Sequence, residues 1–163
     1  QEGLTFGKIN DNDAVADPEM SLDIANLILF YMRNLAAPKA QSDDVAAAGR
    51  GSLTFTDIGC NKCHTPSLEG PNGPVNLYSD LLLHEILPEG ALGIEDASAN
   101  MREFRTPPLW GVRSTGPYLH TGEADTLDQA IRLHDGEAVG VRSAYEALSE
   151  DDREDLIIFL ESI

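Results

Sequence analysis

The segment Cys60-Asn61-Lys62-Cys63-His64 constrains this 163-residue chain more than any other. Its pattern, C-x-x-C-H, is the one in which two thiols add across the vinyl groups of haem and the adjacent imidazole ligates the iron. Two residues between the thiols let the chain turn under the edge of the macrocycle, and the next residue then reaches the axial position. The chain has no other cysteine, so a disulfide framework of the small secreted kind is excluded. A thioredoxin-like redox pair wants a strand before Cys60 and a βαβ pattern, and a structural zinc wants a second ligand pair. The sequence shows neither, and one haem c attached through Cys60 and Cys63, with His64 on the iron, is the expectation.

Covalent haem attachment occurs where the maturation machinery works, which for a bacterial protein means outside the cytoplasmic membrane. A periplasmic or otherwise exported location follows as an expectation. The start at Gln1, with no basic segment leading into an apolar one, fits a removed leader or a separated domain. There are 28 acidic side chains against 11 Lys and Arg, a net charge of −17, and that field repels nucleic acid phosphates and anionic lipid headgroups. It favours a basic electron-transfer partner. No apolar run approaches the roughly 18 residues of a membrane span.

Apolar spacing and capping patterns give the elements. Residues 1–17 read as an extended arm. A helix over about 18–35, with Asp17 as its cap and Pro18 at its first position, carries Leu22, Ala25, Ile28, Leu29, Met32 and Leu35. A linker follows to 44, and residues 18–44 are expected to pack on a haem domain spanning 45–163. Within it we expect a helix over 45–56 bearing Gly51 and Phe55, a loop through Pro66, Gly70, Pro71, Gly73 and Pro74, and a short helix from Ser79 that Pro88 ends. Thr126 with Gln129, and Ser149 with Asp152, form capping boxes that open two further helices. With no sustained period-two alternation, the fold class is all-α, with long loops around one large ligand.

A second protein ligand to the iron means electron transfer, whereas an open sixth position means a reactive centre. His84, His120, His134 and Met101 are the candidates. His134 shares an apolar helical face with Leu127, Ala130 and Ile131, where a titratable ring is costly unless it is hydrogen-bonded or bound to metal. The spacing alone does not choose among the four.

Several segments occur in the order found in one known family. They are Gly51 to Phe55 ahead of Gly59-Cys60, Cys63-His64-Thr65-Pro66, Tyr78-Ser79-Asp80-Leu81-Leu82-Leu83-His84, Glu103-Phe104-Arg105-Thr106-Pro107-Pro108-Leu109-Trp110-Gly111, Pro117-Tyr118-Leu119-His120, and Thr126 to Ile131. Over residues 18–163 the chain resembles the C-terminal haem domain of the di-haem oxidoreductases, often described as thiol oxidoreductases and related to bacterial di-haem cytochrome c peroxidases. The resemblance implies a cytochrome c-like domain. In the related peroxidases a Met fourteen positions after the histidine of the Pro-Tyr-Phe-His segment is the distal ligand, and the same count from His120 reaches His134. The resemblance thus implies His64 and His134 as the axial pair, and a second imidazole in place of Met lowers the potential. A further departure is the lack of a second C-x-x-C-H, so the chain resembles a separated C-terminal module or a natural short relative.

The resulting expectation is an electron-transfer module passing single electrons to another haem domain or redox protein. Phe104, Pro107, Leu109, Trp110 and Tyr118 are expected at the haem pocket, His120 as a hydrogen-bonding neighbour, and Arg105 with Arg113 on the haem propionates. His84 reads as a histidine bonded within the protein. The enzymatic alternative, a peroxidase-like or thiol-oxidising centre, needs a displaceable sixth ligand and an acid or base such as His120 or Glu123. A third reading, a haem-free domain docking a basic protein through its acidic face, predicts a colourless preparation. A calcium site would use Asn, Asp and loop carbonyls, but no spacing identifies one.

Overall fold

The computed structural model describes residues 20–91, 93, 95 and 99–163. The expected arm over 1–17 and the proposed Asp17 cap lie outside these residues. The chain divides into two compact units, Gln1–Ala37 and Pro38–Ile163. In the first, helix α1 runs Leu22–Arg33 and is capped by Ser21, whose hydroxyl accepts from the Ile24 amide. None of its residues is buried.

The second unit is held together by α2 (Val45–Asp57) packed on the terminal helix α5 (Glu150–Ser162). Asp44 caps α2 by accepting from the Ala47 amide, and Ser149 caps α5 by accepting from the Asp152 amide. Gly51 is where the two helices meet: a Cβ there would overlap the Asp155 carbonyl and crowd Phe159. At the same crossing Arg50 forms a two-pronged ion pair with Asp155, at 2.6 and 2.7 Å. Phe55, Tyr78 and Phe159 meet edge to face, with ring centroids 5.3–6.1 Å apart. The wider core adds Val112, Leu127, Tyr145, Leu156, Leu160 and Ile163.

Helices dominate, but the all-α expectation needs correcting: the described residues include two short antiparallel strand pairs. Strand β1 (Leu68–Gly70) pairs with β2 (Gly73–Val75) across a two-residue turn, and β3 (Leu83–Glu85) pairs with β4 (Glu103–Arg105), setting His84 opposite Phe104. The expected helix from Ser79 does not form. Ser79 is buried and donates to the Thr106 carbonyl while accepting from the Leu81 amide, and Asp80 accepts from the Leu82 amide. Such bonds also occur at helix starts, but Leu81 sits at φ +61°, in the left-handed region, and a right-handed helix cannot continue through it. Leu81, Leu82 and Leu83, which fall within the expected helix, are all exposed.

Helix α3 (Leu127–Arg132), capped by Thr126, ends before His134. Helix α4 (Val139–Glu146), which the sequence pattern did not reveal, follows and leads to α5. Among the described residues no helix is long and apolar enough to cross a membrane.

Gly51→Ala is expected to destabilise the protein by about 1–3 kcal/mol through overpacking at the α2–α5 crossing, read as a lower midpoint in urea unfolding. An unchanged midpoint would refute this account of the crossing.

Candidate functional site

The core is built around a cavity of about 500 Å³, within the roughly 300–1,000 Å³ of cofactor-sized pockets. Phe55, Val112, Leu127, Leu156 and Leu160 belong to both the core and the cavity wall. A packed interior holds few voids larger than a water molecule, so a space of this size among core side chains is a candidate cofactor site.

Cys60, Cys63 and His64 line this cavity from a single 3-10 turn and its exit. Burial pushes the Cys60 thiol up to about 12, and burial also raises Cys63, helped by the Asp80 and Glu137 carboxylates. Thiols held protonated in this way are poor thiolate nucleophiles, which counts against the dithiol redox reading.

His64 and His134 line the same cavity from stretches of chain 70 positions apart. The Nδ1 of His64 lies 3.1 Å from the Tyr78 carbonyl, and the Nδ1 of His134 lies 2.7 Å from the Ala130 carbonyl. A carbonyl can only accept, so each Nδ1 carries the proton and each neutral ring keeps its lone pair on Nε2. Burial holds both rings neutral: His64 is lowered to about 4, against the pull of its Tyr78 bond, and His134 is lowered for the same reason. Each ring orientation is fixed by a backbone feature. Tyr78 adopts φ +55°, uncommon for a non-glycine residue, where its carbonyl meets His64. His134 follows the end of α3, where the last-turn carbonyl of Ala130 accepts from the Leu133 amide at 3.3 Å as well as from His134 Nδ1.

Helix α3 is itself fixed by Asp128, which accepts from the Tyr145 hydroxyl at 2.7 Å and from Arg132 at 2.8 Å. Arg132 also lies over the Tyr145 ring, 5.5 Å from its centroid.

The structure brings Phe104, Arg105, Pro107, Leu109, Tyr118 and His120 to the cavity wall. His120 is exposed and stacks on Phe104 with ring centroids 4.4 Å apart. Trp110 is half-buried and is not part of the wall. Arg113 lines a separate polar hollow beside Pro38, Lys39 and Glu161, so only Arg105 of the two arginines faces the cavity. Met101 and Glu123 are exposed and do not line it. His84 does, but both of its ring nitrogens are bonded to carboxylates, Asp80 at 2.8 Å and Glu137 at 3.0 Å. Glu137 and Arg142 also line the cavity; the sequence reading missed them, because charged residues on short helical segments carry no pattern that marks a pocket.

The donor set fits haem: a thiol pair and one imidazole in a single turn, a second neutral imidazole, and an apolar wall. Comparison with known proteins decides the family. The family model "Di-haem oxidoreductase, putative peroxidase" matches residues 5–163. This chain belongs to that family. It is 26% identical over 154 residues to the cytochrome c peroxidase Ccp of Escherichia coli, covering 86% of this chain and 32% of that protein. It is 29% identical to the cytochrome c551 peroxidase of Pseudomonas aeruginosa over 70% of this chain and 33% of that one. MauG, the methylamine utilization protein of Methylorubrum extorquens, is 28% identical over 90% of this chain and 45% of its own length. The chain thus spans about a third of the length of the two peroxidases. Among solved structures, hydrazine synthase of Kuenenia stuttgartiensis shares the fold, with a TM-score of 0.65 over 88% of this chain and 56% of that one at 23% identity.

Tyr145→Phe removes a donor to Asp128 and is expected to cost about 1 kcal/mol at neutral pH, because Asp128 is partly exposed. The carboxyl of Asp128 is held below its ordinary value of 3.8, by Arg132 first and then, against burial, by Tyr145. Its contribution is therefore present above that value and is lost as pH falls through the depressed folded-state value. The stability gap between wild type and variant should narrow in acid, as measured by urea midpoints at neutral pH and below pH 3. A gap that widened in acid would contradict the assignment.

Proposed function

We propose that this chain is a c-type electron-transfer module of the di-haem oxidoreductase family. In this reading one haem is attached through Cys60 and Cys63, and His64 and His134 are the axial ligands. The observation that carries it is the pair of neutral imidazoles in one apolar cavity, each with Nδ1 committed to a backbone carbonyl and its lone pair on Nε2. That is how a protein prepares a histidine for metal: the second hydrogen bond fixes the tautomer and raises ligand basicity.

The haem, when bound, supplies one-electron redox chemistry. The chain's own residues do the rest. Cys60 and Cys63 would anchor the group, and His64 and His134 would hold its iron and keep small ligands off it. Phe104, Leu109 and Tyr118 would exclude water, and Arg105, on the cavity wall, would pair with a propionate. A second imidazole donates more strongly than a thioether and lowers the potential relative to a His/Met site, so the chain is suited to delivering electrons. The receiving group is another haem domain or a redox protein, and the net charge of −17 favours a basic one. Haem attachment of this kind supports a periplasmic or otherwise exported location. Met101, a rival sixth ligand, does not line the cavity, and of the two acid–base candidates of the enzymatic alternative His120 lines it and Glu123 does not.

The test is the visible spectrum of the haem-loaded protein, oxidised and reduced, beside that of His134→Met. Low-spin native spectra in both states without the red-edge band of Met-ligated ferric haem, and the appearance of that band in the variant, are the expected results. High-spin native iron unaffected by the substitution would overturn the ligand assignment. Cys60→Ser with Cys63→Ser is expected to abolish haem staining on a denaturing gel, and staining that persisted would refute attachment at these residues.

A further inference from the structure

One charged group beside the cavity has no part in the function described so far. The ring of His84 lies between two carboxylates, with Nε2 2.8 Å from Asp80 Oδ2 and Nδ1 3.0 Å from Glu137 Oε2. A carboxylate only accepts, so both ring nitrogens must donate and the ring is an imidazolium. Its pKa is accordingly raised, by the bond to Glu137 first and that to Asp80 next.

Each carboxylate is tied to one end of the site. The Asp80 amide donates to the carbonyl of Cys63 at 2.8 Å, beside His64. Glu137 belongs to the segment that begins one residue after His134, and this segment lies flat against β3. The Asp135 amide donates to the Ile86 carbonyl at 2.9 Å, and Glu137 Oε1 accepts from the Glu85 amide at 2.9 Å. The backbones come so close that a Cβ on Gly136, which has φ +54°, would overlap the Glu85 carbonyl. Without a positive group at 84, Asp80 and Glu137 would face each other as like charges across the gap.

We propose that His84 is a positioning residue: as a doubly donating imidazolium it ties the segment after His134 to the haem-attachment turn and so holds His134 on the iron. The inference rests on the reading of His134 as the distal ligand. It assigns to the Asp80–His84–Glu137 bridge control of how often the sixth position opens, a property distinct from the stability of the fold.

Carbon monoxide binding to the reduced, haem-loaded chain measures this, because CO enters only when the sixth position is free. The variants are His84→Phe, which fills the space without donating, and Glu137→Gln, whose side chain is 56% exposed in the native protein and whose fold is thereby preserved. Arg50→Met serves as the control. It breaks the α2–α5 ion pair with Asp155 and lowers stability without touching the bridge. We expect slow CO binding in the wild type, at least tenfold faster binding in both bridge variants, and an unchanged rate in the control despite its lower Tm. Where His84→Phe yields no haem-loaded protein, Glu137→Gln decides alone. Wild-type rates in the bridge variants would overturn the proposal, as would an equal acceleration in Arg50→Met, which would mean general loosening. Immediate CO binding by the wild type would instead overturn the His134 assignment itself, so the two failures are distinguishable.

Discussion

Two imidazole rings kept neutral inside an apolar cavity are the constraint on which the rest of this structure depends. Burying a titratable ring is costly unless its hydrogen-bonding groups are satisfied. Here each ring gives its Nδ1 proton to a backbone carbonyl, His64 to Tyr78 and His134 to Ala130. The remaining nitrogen of each carries a lone pair facing a largely apolar wall, and in the proposed reading a metal would be its partner.

The scaffold serves that arrangement. The α2–α5 crossing, where Gly51 lets the helices close, supports the aromatic cluster that includes Tyr78, whose carbonyl holds His64. On the other side of the chain order, Asp128, Arg132 and Tyr145 fix α3, whose last turn holds His134. The core residues Phe55, Leu127, Leu156 and Leu160 double as cavity wall. Packing and cofactor recognition are therefore one set of contacts, and a core substitution at these positions acts on both.

Local chemistry made part of this legible in sequence. The attachment motif announces itself because its spacing is dictated by a rigid macrocycle. The capping boxes at Thr126 and Ser149 are short-range bonds between residues three apart, and both open helices in the structure. The element from Ser79 was misread because an apolar run has the same periodicity in a short helix or a loop. Only the buried hydroxyl of Ser79, bonded to Thr106 across 27 positions, decides between them. Trp110 and Arg113 were placed at the cavity by adjacency in sequence, but the turn after Gly111 carries Arg113 to another face. The bridge through His84 was illegible for a related reason. It joins Asp80 to Glu137, 57 positions apart in the chain, and no periodicity encodes a tertiary hydrogen bond between single side chains.

The central claim is that two histidines hold the iron, and the most direct measurement is pulsed electron paramagnetic resonance of the ferric, haem-loaded protein with ¹⁵N-labelled histidine. The account predicts a low-spin centre with two axial imidazole nitrogens coupled to the iron, one of which is lost in His134→Met. A single axial imidazole in the native protein, or a high-spin centre, would contradict it.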